Sequence, residues 1–359
     1  GRTINPAIAD RAPGGSSAGT AAAVATHMCV FGLAEETGGS IQNPASAQGL
    51  VGIKPTIGLV PNAGVVPLSG NRDVVGPIAR TVTDAALGLD AIAGFTTEDP
   101  KTLASVDKIP EGGYAAGLTL DGLKGKRLGL YGPGWRQDKL SSEAATLYER
   151  AKSELEQLGA VLVEDPFSGT DFATLRQITP GTPFFDGRGL ESIAYDMTCY
   201  LQRLGPNAAI KTWAEFVDAT KAEDPLAEGA ILGYLNALPD FVEAVKSPGI
   251  PPDLPEFTAI KRKYLRLLEE VFQRHQLDGL VYPQMLQELP GLHSGDAILE
   301  TTVGELNIAG IPGVTVPAGY YSSGAPFELI FLGLQWSEAK LIQCAYAYEQ
   351  GTQHRKAAV

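Results

Sequence analysis

The sequence predicts an α/β protein with at least some parallel strand pairing. Short β-branched runs alternate with stretches of helical periodicity. Residues 123–165 place a strand-like run, an amphipathic helix and a second strand-like run in succession, the order of a βαβ unit. Apolar residues make up 44% of the 359 and charged residues 19%, which supports a substantial core. That length fits two domains or one large α/β domain.

The elements follow in order. Ala18 to Phe31 is small and apolar with few breakers, and is expected to form a buried helix directly after a Ser/Gly turn. "GLVGIKPTIGLV" (49–60) reads as strand and turn. Thr81 to Ile92 reads as a helix, with Thr81 and Asp84 at capping-box spacing and Gly94 as a stop. "LKGKRLGLYG" (123–132) begins a fresh strand. Ser141 to Leu158 repeats apolar residues at Ala144, Leu147, Ala151, Leu155 and Leu158, Gly159 ends it, and "AVLVEDP" is the next strand. Thr179 to Pro255 is irregular, with scattered aromatics and prolines. Phe257 to His275 is a helix, "LDGLVYP" and "GVTVPAGY" are strands, and Leu341 to Gln350 is the last helix. There is no internal repeat.

A net charge of −13 argues against direct binding to nucleic acid or anionic membranes, since both need a positive field. No run reaches the roughly 18 apolar residues of a membrane span, and no export signal opens the chain. Cys29, Cys199 and Cys344 are odd in number and far apart, which fits a reducing, cytoplasmic setting. No metal-ligand spacing is present, and no cofactor is expected. The chain begins at a glycine and reads as opening mid-protein.

Two glycine–serine clusters carry the chemistry. They are Gly14-Gly15-Ser16-Ser17 and Gly38-Gly39-Ser40, separated by one helix and a loop. A serine hydroxyl needs a base to become a nucleophile, and donors aimed at the developing oxyanion. Glycines leave backbone N–H groups open for that task. Alone, either cluster reads more readily as a turn. Gly15 to Gly19 also fits the G-x-S-x-G elbow with Ser17 as nucleophile, but no β run precedes it. Histidine catalysis has little support. His27 falls inside the Ala-rich segment, His275 ends a helix, where a cation is favourable in any case, and His354 lies in a basic tail.

Taken together, the segments "GGSSAGTAAAVA", "ETGGSIQNPAS", "GLVGIKPTIGLV", "GVVPLSGNRDVVGPIARTVTDAALGLDAIAG", "NIAGIPGVTVPAGY" and "AYAYEQGTQHR" resemble the amidase signature family. The likeness is ordered and runs almost end to end, densest over 14–94 and weakest over 168–255. It implies one compact domain over 1–359, with a large mixed sheet covered by helices on both faces. The 14–94 stretch would be the signature core and 168–255 a variable substrate-pocket region. Its aromatics Phe184, Phe185, Tyr195, Tyr200, Trp213 and Phe216 suggest an apolar substrate portion, or equally a core.

The resemblance further implies amide hydrolysis by a Ser–Ser–Lys triad. Ser40 matches the nucleophile. Ser16 matches the proton-relaying serine on a cis peptide bond, and Ser17 the second serine of that pair. The N–H groups of Thr37, Gly38, Gly39 and Ser40 match the oxyanion hole. A lysine is a base only when neutral, which requires burial. In the family it lies upstream of the first cluster, where Gly1 to Pro13 contain none, so an N-terminal segment carrying it is expected. Lys54 matches a different position and is expected to be structural or at the surface. Glu36 stands where the family usually has Asp, and Gln42 where it has Arg, so a Glu–Gln hydrogen bond is expected in place of an ion pair.

The implied substrate is a small-molecule or peptide-like carboxamide, and a homo-oligomer is left open. Two alternatives stand beside the hydrolase: a non-catalytic or partner-dependent amidase-like subunit, and an amidotransferase subunit that frees ammonia from glutamine. A Ser-His-Asp esterase is more distant.

Overall fold

Among the described residues eight strands form one mixed sheet. They are β1 (Phe31–Glu36), β2 (Val51–Lys54), β3 (Val74–Ala79), β4 (Arg127–Leu130), β5 (Val161–Val163), β6 (Gly279–Pro283), β7 (Gly313–Tyr320) and β8 (Pro326–Leu332). Their order is β1-β3-β2-β7-β8-β6-β4-β5. The computed structural model describes residues 1–357 apart from 133, 136–138, 183–184, 231, 239 and 302–303. The helices are α1 (Ala18–Ala25), α2 (Gln42–Ala47), α3 (Val82–Ile92), α4 (Ser142–Gln157), α5 (Ile193–Arg203), α6 (Trp213–Ala219), α7 (Phe241–Ala244), α8 (Pro255–His275), α9 (Gly304–Ala309) and α10 (Glu338–Thr352).

The expected βαβ unit is β4–α4–β5, with Arg127 beside Val161 in parallel register, and β4 also runs parallel to β6. The remaining pairings are antiparallel. Successive side chains on a strand point to opposite faces. Every residue of β2, β3, β6 and β8 is buried, so both faces of the central sheet are covered. The start of α3 follows the expected cap, and α4 has one of the same kind. The Thr81 hydroxyl accepts the Asp84 N–H at 3.1 Å, and the Ser141 hydroxyl accepts that of Ala144 at 3.2 Å.

One expectation is corrected. The first helix stops at Ala25 instead of running to Phe31, because His27 turns the chain with a φ of 64° and β1 begins at Phe31. His27 therefore lies outside the helix and is exposed. The alanines do allow close packing. Ala21, Val24, Ala34, Ile41, Ala45 and Val74 form a small core that joins α1 and α2 to β1 and β3.

The irregular stretch has a core of its own. Leu190, Ile193, Met197, Trp213, Leu235 and Phe241 pack together, and Phe216 stacks on Trp213 at 5.5 Å. Trp213 and Phe216 are thus packing residues. Tyr195 and Tyr200 line a cavity described below, and Phe185 reaches the serine loop. Phe184 lies outside the described residues. Among the described residues no helix is long and apolar enough to cross a membrane.

Candidate active site

The fold brings the two glycine–serine clusters together through α2. Gly14, at φ +79°, lies so near Pro44 that a Cβ there would stand 2.5 Å from the Pro44 Cα. The Gly15 N–H donates to Asn43 Oδ1 at 3.0 Å, and the Asn43 N–H donates to the Gly39 carbonyl at 2.7 Å. One residue in the first turn of α2 therefore ties both clusters. The peptide bond between Gly15 and Ser16 is cis. The Ser17 hydroxyl donates to the Glu35 carbonyl at 3.4 Å. Ser16 is exposed and Ser40 half-buried, and among the described residues their hydroxyls hydrogen-bond neither each other nor any other group.

The loop entering Ser40 is built for donation. Among the described residues the N–H groups of Gly38, Gly39 and Ser40 find no acceptor. Two of its peptide planes are fixed from behind, one by Asn43 on the Gly39 carbonyl and one by Arg72, whose Nε donates to the Thr37 carbonyl at 3.0 Å.

Glu36 is the hub beneath this loop. Its Oε2 accepts the N–H groups of Ile41 at 2.9 Å and Gln42 at 3.1 Å. Its Oε1 accepts the Gln42 side chain at 2.5 Å and Asn307 Nδ2 at 2.9 Å. The Glu–Gln hydrogen bond expected in place of an ion pair is present. Lys54 is fully buried, which corrects the surface half of its expected placement. Its Nζ donates to the carbonyls of Pro55 at 3.0 Å and Ile311 at 2.9 Å. Burial pulls its pKa down to about 8, against the opposing fields of Glu36 and Glu338.

Beside the loop sits an acid pair that was not singled out from the sequence. Thr37 Oγ1 lies 2.6 Å from Asp73 Oδ1 and 3.1 Å from Glu35 Oε1. A hydroxyl has a single proton to donate, so two ionised carboxylates cannot both be satisfied there. Burial and the charge of Asp73 push Glu35 up to about 8, which keeps it protonated at neutral pH. Asp73 is held by the N–H groups of Leu68 at 2.9 Å and Ser69 at 2.8 Å.

These shifts set a pH dependence. Glu35 keeps its proton in the fold up to about pH 8 but in the unfolded chain only to its ordinary 4.5. Its contribution is therefore fully present below pH 4.5 and is lost as the pH rises through about 8. Lys54 acts oppositely and only above about pH 8, where the fold has released a proton that the unfolded chain holds to 10.5. The urea midpoint is expected to fall between about pH 6 and 8, and Glu35→Gln to flatten that fall. An unchanged slope in the variant would remove Glu35 as its source.

A cavity of about 450 Å³ adjoins this network, lined by Asn62, Asn71, Asp73, Asp99, Tyr195 and Tyr200 among others. None of the three serines lines it, and it meets the serine loop's hydrogen-bond network at Asp73.

The fold is that of amidase signature structures. A peptide amidase solved with the competitive inhibitor chymostatin matches 100% of this chain and 70% of its own, with a TM-score of 0.78 and 33% identity. The chain belongs to the amidase family, whose sequence model matches residues 1–190. A probable amidase of Arabidopsis thaliana is 32% identical over 357 residues, covering 98% of this chain and 62% of the plant protein. A glutamyl-tRNA(Gln) amidotransferase subunit from Moorella thermoacetica is 33% identical over 368 residues, covering 99% of this chain and 70% of the bacterial protein. The chain thus spans less than two thirds of the plant relative's length.

Proposed function

We propose that this chain carries the nucleophile of an amide hydrolase acting on a small-molecule or peptide-like carboxamide. Ser40 Oγ adds to the carbonyl carbon, and the N–H groups of Thr37, Gly38, Gly39 and Ser40 hold the oxyanion. The C–N bond then breaks, and the amine leaves with a proton relayed through Ser16. Water cleaves the acyl ester on Ser40 and regenerates the hydroxyl. Ser17 steadies the Ser16 turn through the Glu35 carbonyl. Acyl transfer to serine requires neither metal nor cofactor, and none is proposed.

One observation carries this reading: the acceptor-free amides of Gly38, Gly39 and Ser40 share a loop that Asn43 ties to the Ser16 turn. A neutral lysine is the proposed base. Lys54, the one buried lysine among the described residues, already donates to two carbonyls. The likeness to a peptide amidase supports a peptide-like amide. Free Cys29, Cys199 and Cys344 suit a reducing, cytoplasmic setting.

A fluorophosphonate probe tests the reading on the protein expressed with any residues encoded ahead of Gly1. Label mapped to Ser40 is the expected result. Label on Ser17 would instead favour an esterase. A folded protein that takes no label would favour a non-catalytic subunit. The likeness to the bacterial amidotransferase component supports a second reading, release of ammonia from glutamine, with activity appearing only when partner subunits are added.

A further inference from the structure

Arg72 is 1% exposed, yet among the described residues it bonds no carboxylate directly. Its Nε donates to the Thr37 carbonyl at 3.0 Å. Its Nη1 donates to the carbonyls of Asp186 at 2.6 Å and Arg188 at 3.1 Å. A guanidinium is always charged and has a rigid fork, so three carbonyls from two distant segments are held in one geometry. The fork also lies over the Phe185 ring, with Cζ 5.0 Å from the centroid. Phe185 in turn abuts Gly38, where an added Cβ would meet the ring at 2.5 Å. Tyr234 closes against Phe185 edge to face, with ring centroids 5.9 Å apart.

The Thr37 carbonyl and the Gly38 N–H belong to one planar trans peptide, so they point in opposite directions. Fixing the carbonyl aims the N–H. A peptide followed by glycine flips easily, because glycine adopts either sign of φ. Nothing else among the described residues holds this carbonyl.

We infer that Arg72 is a positioning residue for catalysis: it locks the Thr37–Gly38 peptide so that the Gly38 N–H faces the oxyanion, and it fastens that peptide to the Phe185 wall. This rests on the hydrolase reading above.

The test uses Arg72→Lys and Arg72→Gln in the protein with any residues ahead of Gly1, with active sites counted by fluorophosphonate titration. Both variants lose the fork. The kcat per titrated Ser40 is expected to fall at least about tenfold with KM within about twofold, because a misaimed oxyanion donor weakens the transition state and not the ground state. A purely structural role would lower the number of titrated sites and leave kcat per site unchanged, and that result overturns the inference. If neither variant folds, Phe185→Leu decides, since its ring is half-buried. A fall of about threefold or more in kcat per site supports the strut, and an unchanged kcat removes it. A wild-type protein without label at Ser40 would sink the hydrolase reading itself, whatever the variants do.

Discussion

Gly39→Ala is expected to cut kcat/KM by about 10²–10³, the size of losing one oxyanion donor. Two independent obstacles meet at this position. Gly39 has a φ of +98°, and a Cβ built there stands 2.7 Å from Glu300 Oε2 and 3.2 Å from its Oε1. A non-glycine residue at positive φ costs about 1–3 kcal/mol by itself. Glu300 is 5% exposed and accepts Gln284 Nε2 at 3.0 Å, so it has little room to retreat. The cheaper response is for the loop to turn, which takes the N–H groups of Gly39 and Ser40 off their aim. Gly295→Ala is the control, because that glycine has a φ of +78° with nothing within 4 Å of the added Cβ. It shares the backbone strain without the collision, and its kcat/KM is expected to stay at the wild-type value. Steady-state kinetics with fluorophosphonate labelling rates would read both, and a Gly39→Ala enzyme within about threefold of wild type would remove Gly39 from the site.

What could be read in advance was what short-range chemistry determines. The helices α3, α4, α8 and α10 announce themselves because one face of each is apolar and their ends carry caps or breakers. The strands β4, β5, β6 and β7 stand out as short apolar runs between turns. By contrast, β1 ("FGLAEE") has no alternation and follows the alanine helix without a glycine or proline. β3 ("VVGPIA") hides behind its own Gly-Pro, and β8 ("PFELIFL") is buried on both faces and so shows no period of two. The serines of the candidate site were legible through the resemblance of whole ordered segments to a known family, since either cluster alone reads as a turn. Their supports were not, since Arg72 and Asp73 reach the loop from one distant segment, Asn43 reaches back to Gly15 across 28 residues, and Glu35 meets Asp73 only through Thr37. A signal did exist for Lys54, a cation inside the apolar and small-residue run 49–60, where a charge must find buried partners.

Glu36→Ala is expected to cost about 4 kcal/mol or more of stability, a large share of the roughly 5–15 kcal/mol that holds a typical domain. The carboxylate is fully buried and satisfies four donors: the Ile41 and Gln42 N–H groups, Gln42 Nε2 and Asn307 Nδ2. Each buried donor left without a partner costs about 1–3 kcal/mol. Lys54 also loses one of the two negative fields that oppose its desolvation, so its pKa drops further. Glu36→Gln separates these effects. It keeps the volume and one acceptor oxygen but turns an NH₂ group toward one of the two donor pairs, so an intermediate loss is expected. Urea denaturation of the three proteins would rank them, and a Glu36→Ala midpoint equal to wild type would show that the hub is dispensable. Geometry explains why the Glu36/Gln42 combination can stand in for the usual shorter acid and longer base: the carboxylate reaches one methylene further while its partner is shorter. A buried cation within the field of Glu36 is Lys54 on β2, which β3 separates from β1. The loop that ends in Ser40 is therefore held from below by hydrogen bonds to one buried side chain, so removing Glu36 takes away the support beneath the proposed oxyanion donors.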